Sequence, residues 1–298
     1  MRARKKERNP SIRICSFAKI NLALEILGQR PDGYHELRTI FQTIDLRDYI
    51  YIEEGAYDIE IEGNHPAMPL NERNLAYRAA QKLLHLAGIK KGLRIRIEKN
   101  IPIASGLGGG SSNAAAVLLG LNKMWQLGLD EEGLFPIASS LGSDVPFFLI
   151  GGTALGLGRG DELFALKDVA AKHILIACPA MEISSANAYK KWNLRLTRNK
   201  NNIGINCFLG KLGAELKNDL EDEIIKEAPL IAEIKNQMQE LGSRYCLMSG
   251  SGPAVFGIFN DNVSISRAFQ QLKGKGYRLF RSKTISSKSY KKLIFETA

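Results

Sequence analysis

A chain of 298 residues, 45% hydrophobic and 24% charged, is long enough for about two domains with cores of ordinary size, and it carries a formal net charge of +10. No apolar run approaches the roughly 20 residues that a membrane-crossing helix needs, and the N-terminus lacks the apolar core and cleavage site of a secretory signal, so the sequence reads as cytoplasmic with no membrane partner. Cys15, Cys178, Cys207 and Cys246 are scattered, with neither a CxxC pair nor a nearby histidine, which excludes a zinc module and leaves reduced, mostly buried thiols.

The chain opens with MRARKKERNP, where Arg2, Arg4, Lys5, Lys6 and Arg8 face only Glu7. Residues 1–10 are therefore expected to be a solvated, disordered basic tail. The rest of the chain has no aromatic-interleaved basic stripe, which argues against a nucleic-acid partner, whereas a basic surface also steers phosphorylated small molecules. From Ser11 to Leu27 the chain reads as extended, and DYIYIEE and YDIEIEG alternate apolar and polar residues as half-buried strands do. ERNLAYRAAQKLLHLAG follows as a helix, with Leu75, Ala79, Leu83 and Leu86 at helical spacing and Gly88 as its stop. LRIRIEK alternates again and feeds the stretch IPIASGLGGGSSNAAAVLLG.

That stretch predicts a helix from Asn113 to Trp125, entered from a loop almost without side chains. A helix start leaves its first amides without intrahelical partners and carries roughly half a positive charge. Gly106, Gly108, Gly109 and Gly110 let the backbone curl so that several N–H groups converge on an anion, and Ser111 and Ser112 offer hydroxyls to phosphate oxygens or a bound metal. Ala114, Ala115 and Ala116 call for close packing beneath. The segment reads as a phosphate cradle of neither familiar type. No lysine follows the glycines as a Walker loop requires, and Gly106-x-Gly108-x-x-Ser111 without a later acidic residue is a poor dinucleotide fingerprint.

A further helix is expected from Asp130 to Leu141, then the polar turn GSDVPFF. Within that turn, spacing alone would make Asp144 a helix N-cap. GGTALGLGRGDEL reads as a hairpin carrying the chain out of the first unit, with a boundary between Gly151 and Val169. HILIAC is a buried strand, EIIKEAPLIAEIKNQMQELG is helical, and RYCLMSGSGPAVFGIF reads as strand, tight turn, strand. There is no internal repeat, and the order fits a two-domain α+β protein.

Pro102, Gly106, Leu107, Gly108, Ser111 and Ser112 reproduce the spacing Pro-x-x-x-Gly-Leu-Gly-x-x-Ser-Ser, and MSGSGPAVFGIF follows about 140 residues later. Together they resemble the nucleotide loop and the C-terminal glycine motif of the GHMP kinases. FAKINLALEILGQRPDGYHEL, the triple glycine, EISSANAY and NDLE resemble in particular the branch acting on a cytidine-diphosphate-linked methylerythritol, in the non-mevalonate route to isoprenoids. Departures are small: Phe17, Ile183, Ser185 and Ala254 differ from the usual residues at their places.

The resemblance implies an α+β, two-domain GHMP kinase fold. Residues 11–160 would form an N-terminal ATP-binding domain with a left-handed βαβ crossover, and 161–298 a C-terminal ferredoxin-like α/β sandwich. It also implies ATP and Mg²⁺, with the glycine loop around the triphosphate. By the same resemblance Lys19 and Asp144 are the catalytic pair. Asn21, Tyr34, His35 and Tyr189 contact the cytidine diphosphate. Lys99, Asn74 and Leu75 lie near adenine, and 248–252 closes the site. A sibling kinase of homoserine, mevalonate or a sugar, and a non-catalytic nucleotide- or RNA-binding regulator, are the competing readings.

Overall fold

The computed structural model describes residues 10–192 and 216–295. The basic tail 1–9 and Cys207 lie outside the described residues. The first sheet holds β1 (Ser11–Gln29), β2 (His35–Gly55), β3 (Ile59–Gly63), β4 (Gly92–Glu98), β5 (Thr153–Gly158) and β6 (Glu162–Ala165). Its order is β3-β4-β2-β5-β6, with β1 paired to β2 off this path. The parallel pair β3 and β4 is joined through α1 (Leu75–Ala87), whereas the other pairings are antiparallel.

The hairpin of β1 and β2 runs from Ser11↔Glu53 to Gln29↔His35, with register shifts between Phe17 and Lys19, Asn21 and Ala23, and Ile26 and Gly28. Such bulges bend a strand and re-aim side chains. Here they flank Lys19 and Asn21. From Ile14 to Ile26 every residue of β1 is buried, because helices cover one face and the second sheet packs on the other. A strand enclosed on both faces has no reason to alternate.

α1 and α2 (Gly109–Met124) pack on the first sheet and α3 (Glu131–Leu141) packs against those two helices, followed by the single turn α4 (Phe147–Ile150). Ala114, Ala115 and Ala116 are at most 1% exposed, and a Cβ at Gly120 would come 2.2 Å from Ile14 Cδ1, so α2 lies as close to β1 as its small residues promised. Asn74 caps α1 by accepting from the Ala76 N–H at 3.0 Å, and Gly88 ends it at φ 65°.

The second sheet consists of β7 (Ile174–Pro179), β8 (Tyr245–Met248), β9 (Val255–Ile258) and β10 (Tyr277–Ser282), all antiparallel in the order β10-β7-β9-β8. Its helices are α5 (Ser185–Trp192), α6 (Glu221–Glu227), α7 (Pro229–Glu240) and α8 (Asn262–Leu272). This is the ferredoxin-like split βαβ arrangement. Ala18, Ile20, Leu22 and Ile40 of the first sheet share one apolar cluster with Ile174, Ile176 and Phe256 of the second. The last helix, α9 (Ser287–Leu293), returns to the first unit: Tyr290 is buried there and its hydroxyl donates to the Phe148 carbonyl. β6 also stays on the first sheet, so the sheets change over between Ala165 and Ile174.

Two boundaries differ from the sequence reading. α2 begins at Gly109, inside the glycines, because buried packing overrides their poor helix propensity. The helical run after Glu221 is two helices divided at Ala228, since Pro229 cannot continue a helix but suits the first position of one. Among the described residues no helix is long and apolar enough to cross a membrane.

Burial pushes the thiols of Cys178 and Cys246 up to about 12. Iodoacetamide at pH 8 should therefore leave both unmodified in the native chain and alkylate them after denaturation, as mapped by mass spectrometry.

Candidate active site

Lys19 is 3% exposed, and a buried ammonium must be paired. Its Nζ donates to Asn21 Oδ1 at 2.6 Å and stands 3.3 Å from Asp144 Oδ2. Asn21 is itself held, since its Nδ2 donates to Thr39 Oγ1 at 2.8 Å and the Thr39 hydroxyl donates to the Ala23 carbonyl at 2.7 Å. The main-chain N–H of Lys19 donates to the Leu107 carbonyl at 3.0 Å, fastening β1 to the glycine loop. Asp144 does not cap α4, whose N-cap position is Pro146 with no side-chain hydrogen bond. Its side chain is 33% exposed and turned to Lys19.

The pair opens onto a cleft of about 500 Å³. Pro102, Gly106, Gly108, Gly109, Gly110 and Ser111 line it, as do Lys19, Asn21 and Asp144. Asn74, Leu75 and Lys99 line it beside the loop, and Tyr189, Gly250 and Ser251 come from the second unit. Gly108 takes φ 71° at the start of α2 and provides no side-chain cap, so the first amides of the helix are left to an incoming anion.

Three of the four loop glycines are held to that residue by close neighbours. A Cβ at Gly106 would fall 2.1 Å from the Ser249 carbonyl oxygen, at Gly108 2.8 Å from Phe148 Cζ, and at Gly109 2.6 Å from Lys99 Nζ. At Gly110 it would meet only Leu75 Cδ1, at 3.8 Å, so nothing within the protein demands a glycine there.

Several expected residues stand elsewhere than in the cleft. Leu107 is fully buried in the cluster between the sheets, and what it turns to the site region is the carbonyl that accepts from Lys19. Ser112, expected as a metal or phosphate ligand, is 1% exposed and does not line the cleft; its hydroxyl accepts from Ser16 Oγ at 2.7 Å. Tyr34 is 55% exposed, with the Arg159 guanidinium 5.1 Å from its ring centroid. His35 is buried and stacks on Tyr189 with ring centroids 5.1 Å apart. Burial, reinforced by the Asp144 carboxylate, pushes the Tyr189 phenol up, so that wall of the cleft is a neutral aromatic face.

Sequence reasoning missed Asp48 and four residues that line the cleft, Thr39, Arg73, Asn113 and Arg159. Asp48 forms a buried ion pair with Lys99 and accepts from Asn113 Nδ2 at 2.8 Å. Removing one member alone would leave an uncompensated buried charge, at about 3–5 kcal/mol. Desolvation lowers the Lys99 pKa, and Asp48 opposes that shift. No linear motif joins residues this far apart; only the β2–β4 pairing does, with Tyr49 opposite Glu98. Arg159 was visible in GRGDEL, but without a fold nothing aimed it at the cleft.

The fold and this cleft define a GHMP kinase. Family models for the GHMP kinases N terminal domain and the GHMP kinases C terminal match residues 74–152 and 196–278. The chain is 45% identical over 269 residues to the 4-diphosphocytidyl-2-C-methyl-D-erythritol kinase of Syntrophotalea carbinolica, covering 88% of this chain and 95% of that one. A crystal structure of a 4-(cytidine 5'-diphospho)-2C-methyl-D-erythritol kinase superposes with TM-score 0.76 at 34% identity, over 92% of this chain and 99% of that one. Homoserine kinase from Cytophaga hutchinsonii, at 17% identity and TM-score 0.68 over 96% of each chain, shares the fold alone. The chain belongs to the family of 4-diphosphocytidyl-2-C-methyl-D-erythritol kinases.

The glycine geometry separates two substitutions. Gly106→Ala, at φ 79° and against a backbone oxygen, should lower the thermal midpoint by about 5 °C or more, whereas Gly110→Ala should stay within about 2 °C of wild type by differential scanning fluorimetry.

Proposed function

We propose that the chain uses ATP to phosphorylate the 2-hydroxyl of 4-diphosphocytidyl-2-C-methyl-D-erythritol, in the methylerythritol phosphate route to isoprenoid precursors. The observation that carries the mechanism is the ion pair of Lys19 and Asp144 on the same cleft as the uncapped start of α2. The first amides of α2 bind the terminal phosphates. Asp144 accepts the proton of the acceptor hydroxyl as its oxygen attacks the γ-phosphorus, and ADP leaves as the bond from the γ-phosphorus to the bridging oxygen breaks. Lys19, fixed by Asn21, holds positive charge beside the attacking oxygen, where it favours the developing alkoxide.

Mg²⁺ would be held beside the nucleotide phosphates. Among the described residues no group of three or more His, Cys, Asp or Glu could hold a metal. Of the two expected serine ligands only Ser111 lines the cleft, and its hydroxyl would contribute one hard oxygen. The ion would neutralise phosphate charge there.

For the acceptor, the Tyr189 ring braced by His35 offers a stacking face to cytosine, and Asn21, on the same cleft and bonded to Lys19, is a further polar contact for it. Tyr34, with Arg159 above it, serves the outer end of the cytidine diphosphate. Residues 11–160 would be the nucleotide-binding domain and 161–298 the second domain, of which β6 and α9 pack back on the first, in the cytoplasm. The wall built for a nucleobase favours this acceptor over homoserine, mevalonate or a sugar, and the intact pair of Lys19 and Asp144 favours a working enzyme over a regulator.

Coupled ADP release across a panel of alcohols should show turnover with the cytidylyl acceptor alone, and Asp144→Asn should reduce kcat by at least about 100-fold. Mevalonate turnover without the cytidylyl substrate would move the chain to a sibling activity, and an unchanged mutant rate would remove Asp144 from the mechanism. Tyr189→Ala should raise the acceptor KM by about tenfold or more, with the ATP KM little changed.

A further inference from the structure

Asp48 plays no part in the mechanism above, yet few side chains here are held so completely. It is fully buried on β2, and its carboxylate accepts from Lys99 Nζ, from Asn113 Nδ2 at 2.8 Å, and from the backbone N–H groups of Asn100 at 2.7 Å and Ile101 at 2.8 Å. These donors come from the end of β4 and from α2, so one carboxylate ties three segments together directly beneath the glycine loop. The pair has a direction: Lys99 lines the cleft and Asp48 does not.

The Lys99 ammonium is also placed closely. A Cβ added to Gly109, the first residue of α2, would stand 2.6 Å from Lys99 Nζ. The cation therefore lies against the end of α2 whose free amides and dipole already favour negative charge. The family resemblance associates Lys99 with adenine, but its charged end is at the helix start. A base gains little from an ammonium that an anion would gain.

We infer that Asp48 is a positioning residue that anchors the Lys99 ammonium beneath the first amide of α2, where the cation serves the phosphate chain of the nucleotide and not its base. The inference rests on the reading of this cleft as an ATP site. Asp48 acts through Lys99 and touches no ligand. Desolvation alone would weaken the charge on Lys99, and Asp48 is the neighbour that opposes it.

The test compares full-length wild type with Asp48→Asn, Lys99→Met and the double variant. It measures the ATP KM, inhibition constants for ADP, AMP and adenosine, and the thermal midpoint. Both single variants should raise the ATP KM and the ADP constant about tenfold, as loss of a charge-assisted contact does, with a smaller effect on AMP and adenosine within about twofold. The double variant leaves no orphaned charge, so its thermal midpoint should return toward wild type while the phosphate-graded loss persists. Adenosine weakened as much as ATP would overturn the assignment to the phosphate end. Recovery of the ATP KM along with stability in the double variant would reduce Asp48 to a structural role. Wild-type protein that ADP does not inhibit would instead sink the ATP reading itself, and this inference with it.

Discussion

The site depends on a lysine that has been taken out of water. Lys19 is tied by its backbone to Leu107 of the glycine loop and by its ammonium to Asn21 and Asp144. These bonds solve one problem, the cost of burying a cation, and in doing so they fix the distance between phosphate cradle and proton acceptor. The turn bearing Asp144 cannot move far without stripping the ammonium of a partner, and the loop cannot move far without breaking the bond from the Lys19 main-chain N–H to Leu107. The bulges of β1 on either side of Lys19 and Asn21 belong to the same arrangement, since a regular strand would give these residues a different aim.

The second unit completes the site through a turn rather than a reactive side chain. Gly250 takes φ 56°, and a Cβ there would lie 3.2 Å from both Lys19 Nζ and Asn21 Oδ1, so backbone closes over the pair. Asn218 holds this turn by donating to the carbonyls of Met248 at 2.9 Å and Gly250 at 2.7 Å, while Glu221 accepts from the Met248 N–H at 2.7 Å. Asp219 joins the clasp to β1 by accepting from the Ile26 N–H at 2.9 Å. The NDLE stretch is thus explained by what it holds in place. Gly106 meets the same turn from the other side, its carbonyl accepting from Ser249 Oγ at 3.1 Å.

What could be read in the sequence was whatever is encoded locally. α1 was legible from its period and its Gly88 stop, the β8–β9 turn from its glycines, and the cradle from glycines set against a helix. Lys19 and Asp144 came from motif resemblance, since 125 positions separate them and no periodicity relates them. The rest depends on burial that one dimension does not carry. β1 hides its strand pattern because both its faces are covered, and α2 begins among glycines because packing outweighs propensity. Ser112 was expected to face a ligand, but it is one helix position past Ser111 and so turns inward to Ser16. Asp48 had no local signal at all, as its meaning lies in cross-strand register and in the helix above it.

A crystal structure of the chain with a non-hydrolysable ATP analogue and the cytidylyl acceptor tests the central claim most directly. The account predicts the terminal phosphate on the amides of Gly109 to Ser111, with the acceptor oxygen within hydrogen-bonding distance of both Lys19 Nζ and the Asp144 carboxylate. A triphosphate bound away from the start of α2, or an acceptor oxygen out of reach of that pair, would contradict it.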